Sequence, residues 1–258
     1  MRKGPDLFRI FSEYMREYGI IGFPLSHSFS PAYFNGKFAA EHIEAHYSAF
    51  PITAITELPA LLKQHAGLCG FNVTIPYKTA VLPYLDVISP DAAVIGAVNC
   101  VHIKDNLLYG YNTDHYGFCE SLKPLLPDTP VSALVLGTGG ASRAVCYTLR
   151  TLSIPYLTVS RKAAGPDVID YDLLNPELIR QHQLIINTTP LGMSPHTDQC
   201  PDIPYASLHK DHILYDLVYN PGQTLFLKRG AAQHARTKNG ADMLYLQAEE
   251  NWRIWNSA

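Results

Sequence analysis

The stretch that decides the fold is VSALVLGTGGASRA, at residues 131–144. Residues 131–136 form a short, continuous apolar run, which is typical of a buried parallel strand. Gly137-Thr138-Gly139-Gly140-Ala141 follows at once, and the residues beyond it predict a helix to about residue 152. Glycines between a buried strand and a helix permit a tight turn and a close backbone approach to a pyrophosphate. The pattern favours a nucleotide site over a turn without a ligand, although Ser142 replaces the third glycine of the usual fingerprint.

Strands and helices are predicted to alternate on both sides of this stretch. Further strands of the second half are expected at 156–160, 184–186 and 213–218, and a closing helix at 241–255. In the first half, strands are expected at 18–22, 45–50 and 70–75, and helices at about 31–41, at about 54–64 and from about Tyr77. Residues 97–103 and 107–111 predict a hairpin. The alternation predicts an α/β fold.

Composition limits the possible classes of protein. The chain has 258 residues, of which 47% are hydrophobic and 17% charged, so two domains with substantial cores are expected. A net charge of −3 without a basic stripe argues against a nucleic-acid partner. Five scattered cysteines without a C-x-x-C pair suggest a reducing compartment, and the scattered histidines predict no metal site.

A cytoplasmic location is expected, because the chain has neither an apolar run of membrane-spanning length nor the apolar stretch of a signal peptide. Residues 1–14 precede the first predicted strand and are either an extra arm or a mis-assigned start. Three prolines within residues 124–130 predict a domain boundary. We expect one domain at 1–123, joined by the C-terminal helix 241–258, and a second at 124–240.

The residues that follow the second strand of the predicted nucleotide site indicate which cofactor is used. A site for NAD usually has an Asp or Glu about 20 residues past the first glycine. Here Ser160-Arg161-Lys162 follows the strand instead. Two cations and a hydroxyl suit a 2′-phosphate, so NADP is the predicted cofactor.

Lys78 is a candidate catalytic residue. It ends the run NVTIPYK at residues 72–78, just past a predicted strand. A second polar run, Asn112-Thr113-Asp114, lies between it and the glycine turn. Taken alone, Lys78 is most simply a solvated surface lysine. With an aspartate and a nucleotide site to follow, it suggests proton delivery to a substrate that is reduced by hydride.

Eight motifs in register resemble those of the shikimate dehydrogenases, from about Gly19 to the C-terminus. They lie at residues 22–31 (GFPLSHSFSP), 72–78 (NVTIPYK), 96–99 (GAVN), 112–114 (NTD), 137–143 (GTGGASR), 187–193 (NTTPLGM), 215–221 (YDLVYNP) and 240–248 (GADMLYLQA). The resemblance implies a substrate-binding domain, a Rossmann-like NADP domain and an active site in the cleft between them. It implies reversible reduction of 3-dehydroshikimate to shikimate by NADPH, in aromatic amino-acid biosynthesis, by a monomer or homodimer.

The resemblance also implies residue roles. Lys78 and Asp114 would form the catalytic pair, Ser28, Ser30 and Tyr219 would bind the substrate carboxylate, and Thr74, Asn99 and Gln247 would bind ring hydroxyls. The residues implied to bind the cofactor are Gly137, Thr138, Gly139, Gly140, Ala141, Ser160, Arg161, Lys162, Thr188, Leu217 and Gly240.

Simpler interpretations exist for several of these side chains. Ser30 is also the expected N-cap of the helix that starts at Pro31, and Asp114 could cap a helix from Tyr116. Asn99 could satisfy hairpin backbone, and Gln247 could lie on a solvated helix face. The functional interpretation is favoured over these alternatives only because all of the motifs occur together and in the family's order.

Three alternative functions are considered. One follows from a departure from the family's phosphate-binding motif, and the other two are functions that a related protein could have. The family's usual phosphate clamp has a second arginine, whereas Ala163-Ala164-Gly165 occupies that stretch here. A quinate/shikimate dehydrogenase that uses NAD therefore stays open. A non-catalytic ligand sensor on the same fold is disfavoured because every catalytic position is filled. A related dehydrogenase acting on a folate-type substrate is disfavoured by the paired serines.

Overall fold

A computed structural model describes residues 15–26, 28–162 and 167–257. The expectations for residues 1–14, for His27 and for residues 163–165 lie outside the described residues. The chain forms two compact units. The first runs to Asn112 and takes in the residues from Asn251 onward, and the second is Thr113–Glu250.

The first unit is a six-stranded mixed sheet with helices. Its strands are β1 (Arg16–Gly22), β2 (Ala45–Pro51), β3 (Leu68–Val73), β4 (Val87–Ile88), β5 (Cys100–Lys104) and β6 (Leu107–Tyr111), and its helices are α1 (Phe29–Ala40), α2 (Leu58–Gln64) and α3 (Pro90–Ile95). The strand order is β2-β1-β3-β5-β6-β4. β1 runs parallel to β2 and β3, whereas β5 is antiparallel to both β3 and β6.

The predicted hairpin is confirmed as β5 and β6. Its two turn residues, Asp105 and Asn106, have φ values of 53° and 61°. Positive φ at both central residues matches the twist of the flanking strands, and Asp and Asn tolerate that conformation better than most residues.

The second unit is a wholly parallel sheet flanked by helices. Its strands are β7 (Ala133–Leu136), β8 (Tyr156–Ser160), β9 (Val168–Asp170), β10 (Leu184–Asn187), β11 (Ile213–Asp216) and β12 (Arg236–Lys238), and its helices are α4 (Asp114–Leu122), α5 (Gly140–Thr151), α6 (Pro176–Gln181), α7 (Leu225–Ala231) and α8 (Ala241–Trp255). The strand order is β12-β11-β10-β7-β8-β9. Counted along the chain this is the doubly wound order 3-2-1-4-5-6. The predicted α/β fold class is confirmed.

Aromatic packing attaches the end of α8 to the first unit. The Trp255 ring stacks on Tyr18 at a centroid distance of 4.9 Å, and Phe34 lies 5.3 Å away. Its indole Nε1 donates a hydrogen bond of 2.9 Å to the Val101 carbonyl oxygen. The buried ring and its satisfied N–H explain why these last residues belong with the first unit although α8 begins in the second.

The compact units divide earlier along the chain than residue 123. α4 is grouped with the second unit because Phe118 and Leu122 are fully buried against Val135 and Val145 of that unit's core. The prolines of residues 124–130 therefore lie inside the second unit, after α4, and the functional domain limits given above stay a prediction.

Two local predictions are wrong. No α-helix begins near Tyr77; the chain makes turns there, followed by a single 3-10 turn at Leu82–Tyr84. The Lys78 carbonyl oxygen instead accepts a hydrogen bond of 2.8 Å from the Val98 amide, which competes with a helical bond. The helix at residue 31 begins two residues earlier, so Ser28 is its N-cap and Ser30 lies within its first turn.

Candidate active site at two sheet edges

Five of the polar residues predicted to meet the substrate lie at one edge of the first sheet. β1 and β3 are parallel, so their carboxyl ends, Gly22 and Val73, lie on the same edge. β5 is antiparallel to β3, and its first residue Cys100 pairs with Asn72, so β5 starts at that edge. Ser28 and Ser30 follow β1, Thr74 and Lys78 follow β3, and Asn99 precedes β5. This topology brings all five together.

Backbone hydrogen bonds hold the loops at this edge. The Thr74 amide donates to the Ile21 carbonyl oxygen at 3.0 Å, and the Phe23 amide donates to the Ile75 carbonyl oxygen at 3.1 Å. The half-buried Lys78 is anchored by its own carbonyl and by its neighbour Tyr77, whose hydroxyl donates to the Ile52 carbonyl oxygen at 2.9 Å. The lysine therefore extends from a backbone fixed on both sides.

Buried hydrogen bonds lie directly beneath the serine and asparagine positions. The Tyr47 hydroxyl donates to Asn72 Oδ1 at 2.8 Å, and Asn72 Nδ2 donates to the Asn99 carbonyl oxygen at 3.0 Å. Ser30, which is 7% exposed, is also buried at this edge. The Asn99 backbone is thus held by two side chains, Tyr47 and Asn72, that were not among the predicted site residues.

In the second unit, Asp114 and Gln247 lie on two closely packed helices. Thr113 is the N-cap of α4 and Asp114 its first residue, so the predicted cap from Tyr116 begins too late. Gly117 permits the contact with α8, since a Cβ there would lie 2.5 Å from the Met243 carbonyl oxygen and 3.0 Å from the Gln247 nitrogen. The Thr113 hydroxyl donates to Gln247 Oε1 at 3.5 Å, a long bond that still orients this amide. Gln247 is buried, so it does not lie on a solvated face.

The glycine turn has the geometry that a close-approaching ligand requires. Gly137 has φ of +114°, and its amide donates to the Val159 carbonyl oxygen at 2.8 Å. The Ser142 hydroxyl donates to the Gly137 carbonyl oxygen at 2.7 Å, so this serine closes the turn in place of the third glycine. A Cβ at Gly139 would meet no atom within 4 Å, which leaves open space above the N-terminus of α5.

The remaining residues predicted for the cofactor follow the carboxyl ends of neighbouring strands. Arg161 and Lys162 are exposed past β8, and the Lys162 amide donates to the Ser160 hydroxyl oxygen at 3.3 Å. Thr188 follows β10 and donates from both its amide and its hydroxyl to the Leu136 carbonyl oxygen, at 2.9 and 2.7 Å. Parallel pairing therefore collects these residues on the edge where doubly wound sheets bind ligands.

A close backbone contact requires a glycine at position 240, directly before α8. A Cβ at Gly240 would collide with the Leu217 carbonyl oxygen. The Leu217 amide donates to the Asn187 carbonyl oxygen at 3.0 Å, and the Gly240 amide donates to the Val218 carbonyl oxygen at 3.2 Å. Tyr219 follows in the same loop, where burial raises the pKa of its hydroxyl, so it is a neutral donor.

A buried polar network at this edge was missed by the sequence analysis. Asp216, the last residue of β11, is fully buried and accepts hydrogen bonds from Thr224 Oγ1 at 2.5 Å, Asn187 Nδ2 at 2.9 Å and the Val218 amide at 3.0 Å. Asn187 Oδ1 in turn accepts from the Thr189 amide and hydroxyl at 3.0 and 2.6 Å. The network fixes the two loops that carry Thr188 and Tyr219. Its signal in the sequence was a polar residue ending each of two adjacent apolar strands.

Burial raises the pKa of Asp216 from its ordinary value of 3.8 to about 6, against the lowering effect of its hydrogen-bond donors. Within the described residues, no group of three or more His, Cys, Asp or Glu side chains is arranged to hold a metal ion. No helix in the same residues is long and apolar enough to cross a bilayer.

The raised pKa of Asp216 predicts a pH-dependent contribution to stability. The folded protein binds the Asp216 proton more tightly than the unfolded chain, so this stabilisation is complete below pH 3.8 and is lost as pH rises through about 6. We expect the unfolding free energy of the wild type, relative to Asp216→Asn, to fall between about pH 4 and about pH 7 by at most about 3 kcal/mol. Urea unfolding at both pH values measures this difference.

The exposed Asp128 supplies the matched control for this experiment. Asp128→Asn should shift the unfolding free energy by less than about 0.5 kcal/mol at either pH. A wild-type minus Asp216→Asn difference that is the same at both pH values would contradict the assignment of a raised pKa.

Comparison with known proteins identifies the family. The model of the shikimate dehydrogenase substrate binding domain matches residues 20–101. A shikimate dehydrogenase (NADP(+)) of Bacillus cereus strain B4264 is 37% identical over 92% of this chain and 91% of its own length. The crystal structure of shikimate 5-dehydrogenase from Thermus thermophilus in complex with NADP(H) and shikimate superposes with a TM-score of 0.84, at 32% identity and 94% coverage of each chain. That of shikimate 5-dehydrogenase from Listeria monocytogenes in complex with shikimate and NAD has a TM-score of 0.80 at 27% identity, over 93% of this chain and 91% of its own. This chain belongs to the shikimate dehydrogenase family.

Proposed function

We propose that this chain catalyses the reversible NADPH-dependent reduction of 3-dehydroshikimate to shikimate, a step towards chorismate and the aromatic amino acids. The observation that carries this proposal is that each of the two sheet edges presents residues suited to one of the ligands. The first edge presents a lysine among short polar side chains, and the second presents an open glycine turn followed by an arginine. A monomeric or homodimeric state and a cytoplasmic location belong to the same proposal.

The polar residues of the first edge, together with Tyr219 and Gln247 of the second unit, suit a carboxylated polyol. Ser28 and Ser30 would donate to the substrate carboxylate, with the neutral Tyr219 hydroxyl as a third donor. Thr74, Asn99 and Gln247 would bind ring hydroxyls. Their backbones lie in helices α1 and α8 and in loops that border the strands, so they are held in place before the substrate binds. Analogues that lack a hydroxyl would leave such groups unsatisfied and bind poorly.

Lys78 and Asp114 are the proposed catalytic pair. Bound NADPH supplies the hydride. As the ketone carbon is reduced, negative charge develops on its oxygen, and the Lys78 ammonium would stabilise that charge and deliver the proton. Asp114 would orient the ammonium towards the substrate oxygen. In the oxidation direction, a deprotonated Lys78 would accept the proton of the shikimate hydroxyl.

The glycine turn fits the pyrophosphate of a dinucleotide. Gly139 leaves open space where a side chain would stand, and the amides at the start of α5 point towards that space. Gly137, Thr138, Gly140 and Ala141 would contribute the rest of the turn. Ser160, Arg161 and Lys162 would hold the 2′-phosphate, and Thr188, Leu217 and Gly240 would line the rest of the cofactor site.

A quinate/shikimate dehydrogenase that uses NAD is the second candidate. The segment after Lys162 lacks the second arginine of the family's usual phosphate clamp. The Listeria monocytogenes relative has been crystallised with shikimate and NAD. Lys162 lacks the bidentate fork of an arginine, which would weaken discrimination for the 2′-phosphate, since each charge-assisted hydrogen bond contributes about 1.5–3 kcal/mol.

A steady-state assay with two substrates and two cofactors separates the candidates. We expect the kcat/KM with shikimate and NADP to exceed that with NAD by at least about tenfold, and turnover of quinate to be much slower. Absorbance at 340 nm measures all four combinations. Equal use of NAD and NADP together with rapid turnover of quinate would support the second candidate. Tight binding of shikimate without any absorbance change would contradict both.

Lys78→Ala tests the proposed proton donor. Removing the ammonium should lower kcat by about 10²–10⁴-fold, because the charge on the oxygen is no longer stabilised. Binding of shikimate and NADPH, measured by calorimetry, should persist. Lys104→Ala, at the exposed end of β5, is the control and should leave kcat unchanged. Near-normal turnover by Lys78→Ala would exclude the assigned role.

Gly139→Ala tests the glycine turn as the cofactor site. Gly139 has φ of −77° and ψ of −175° and its position is open, so the free protein should tolerate alanine with less than about 0.5 kcal/mol change in unfolding free energy. The added methyl group would stand where the pyrophosphate should approach. We expect the KM for NADPH to rise by at least about tenfold while the KM for the substrate changes little. An unchanged KM for NADPH in a stable variant would argue for a cofactor site elsewhere.

A further inference from the structure

The two residues directly before helix α8 hold the loop that carries Tyr219. This loop lies between strand β11 and helix α7. The Gly240 amide donates a hydrogen bond of 3.2 Å to the Val218 carbonyl oxygen, just before Tyr219 in the chain. Asn239 Nδ2 donates a hydrogen bond of 2.8 Å to the Gly222 carbonyl oxygen, beyond Tyr219. The two bonds therefore lie on either side of the tyrosine.

The Asn239 side chain also fixes the start of α8. Its Oδ1 accepts a hydrogen bond of 3.2 Å from the amide of Ala241, the first residue of the helix. An asparagine that accepts from the amide two residues ahead makes an Asx turn. Helix α8 carries the buried Gln247. One side chain thus connects the Tyr219 loop to the helix that carries Gln247.

The side-chain amide of Asn239 has only one orientation that satisfies both partners. A backbone carbonyl oxygen can only accept and a backbone amide can only donate, so Nδ2 must face Gly222 and Oδ1 must face Ala241. Aspartate at this position could accept but not donate. Serine could accept from Ala241, but its hydroxyl ends one bond short of the Nδ2 position. Each substitution would keep the turn and lose the bond to the loop.

The other tie beyond Tyr219 does not replace the bond from Asn239. The Asn220 carbonyl oxygen accepts from the Ser194 amide at 3.1 Å, and Ser194 lies in the loop after β10 instead of leading into α8. Gly222 is exposed, so water would bond its carbonyl oxygen if Asn239 did not. Loss of the Asn239 bond would therefore free the second half of the loop relative to α8.

We propose that Asn239 is a positioning residue for the substrate carboxylate, which holds the Tyr219 loop in a fixed place relative to the start of α8. This inference rests on the proposed function, in which the Tyr219 hydroxyl donates to the carboxylate and Gln247 binds a ring hydroxyl. Burial raises the pKa of Tyr219, so its hydroxyl keeps the hydrogen that a carboxylate requires. Asn239 joins the backbones of these two substrate-binding residues before the substrate arrives.

Another helix of the same unit offers a matched control. Asn175 is the N-cap of α6, and its Oδ1 accepts a hydrogen bond of 2.9 Å from the Leu178 amide. None of the residues proposed to bind substrate or cofactor lies in α6. Asn175→Ser and Asn239→Ser therefore make the same change at the start of a helix, and serine can still accept at both positions. Only the second substitution removes a bond to the Tyr219 loop.

The test is a double-mutant cycle of Asn239→Ser and Tyr219→Phe, with the KM for shikimate and the KM for NADP as separate readouts. We expect Asn239→Ser to raise the KM for shikimate by about three- to tenfold and to leave the KM for NADP within about twofold. In the Tyr219→Phe background, the same substitution should change the KM for shikimate by less than about twofold. Asn175→Ser should leave both KM values within about twofold.

An unchanged KM for shikimate in Asn239→Ser would overturn the inference. A rise of the same size in the Tyr219→Phe background, or an equal rise in the KM for NADP, would also overturn it. Failure of the wild type to turn over shikimate would instead contradict the proposed function.

Asn239→Asp supplies the test should Asn239→Ser not fold. This variant keeps the acceptor for the Ala241 amide and turns a carboxylate oxygen towards the Gly222 carbonyl oxygen. We expect its KM for shikimate to rise by at least about threefold, and this rise to fall below about twofold in the Tyr219→Phe background. A wild-type KM, or a rise that persists without the Tyr219 hydroxyl, would overturn the inference.

Discussion

Parallel strand pairing is the constraint on which the rest of the structure depends. In the second unit all six strands run the same way, so every loop that follows a strand emerges at one edge. In the first unit β1 and β3 are parallel and β5 is antiparallel, which brings two strand ends and one strand start to a common edge. Motifs far apart in the sequence therefore become neighbours at a sheet edge.

Buried hydrogen bonds then fix the residues at those edges. The Tyr47–Asn72 pair in the first unit and the Asn187–Asp216–Thr224 network in the second are each less than 9% exposed and fully bonded. Polar groups in such positions are costly when a partner is lost, so they define one arrangement of the loops above them. The same bonds that stabilise each sheet edge thus orient the residues proposed to meet the substrate and the cofactor.

Elements with a strong apolar pattern could be predicted from the sequence. Elements that compete with hydrogen bonds to distant residues could not. The β8 strand and the closing helix α8 lie where expected because continuous apolar runs and a long amphipathic pattern have few alternatives. The helix expected from Tyr77 fails because the Lys78 carbonyl bonds Val98 across the fold, which no local pattern reveals. α4 joins the second unit because Phe118 and Leu122 are buried there, although the prolines suggested a later boundary. The Asp216 network needed the register of β10 and β11, which only the structure provides.

The two sheet edges are the proposed substrate and cofactor sites, and their occupancy can be observed. A crystal structure of the protein with shikimate and NADP bound tests this assignment most directly. Shikimate is expected at the edge formed by the ends of β1 and β3, with Lys78 Nζ about 2.6–3.2 Å from the hydroxyl that is oxidised, and the pyrophosphate above Gly139. Shikimate bound away from Ser30 and Lys78, or a dinucleotide bound away from the glycine turn, would contradict it.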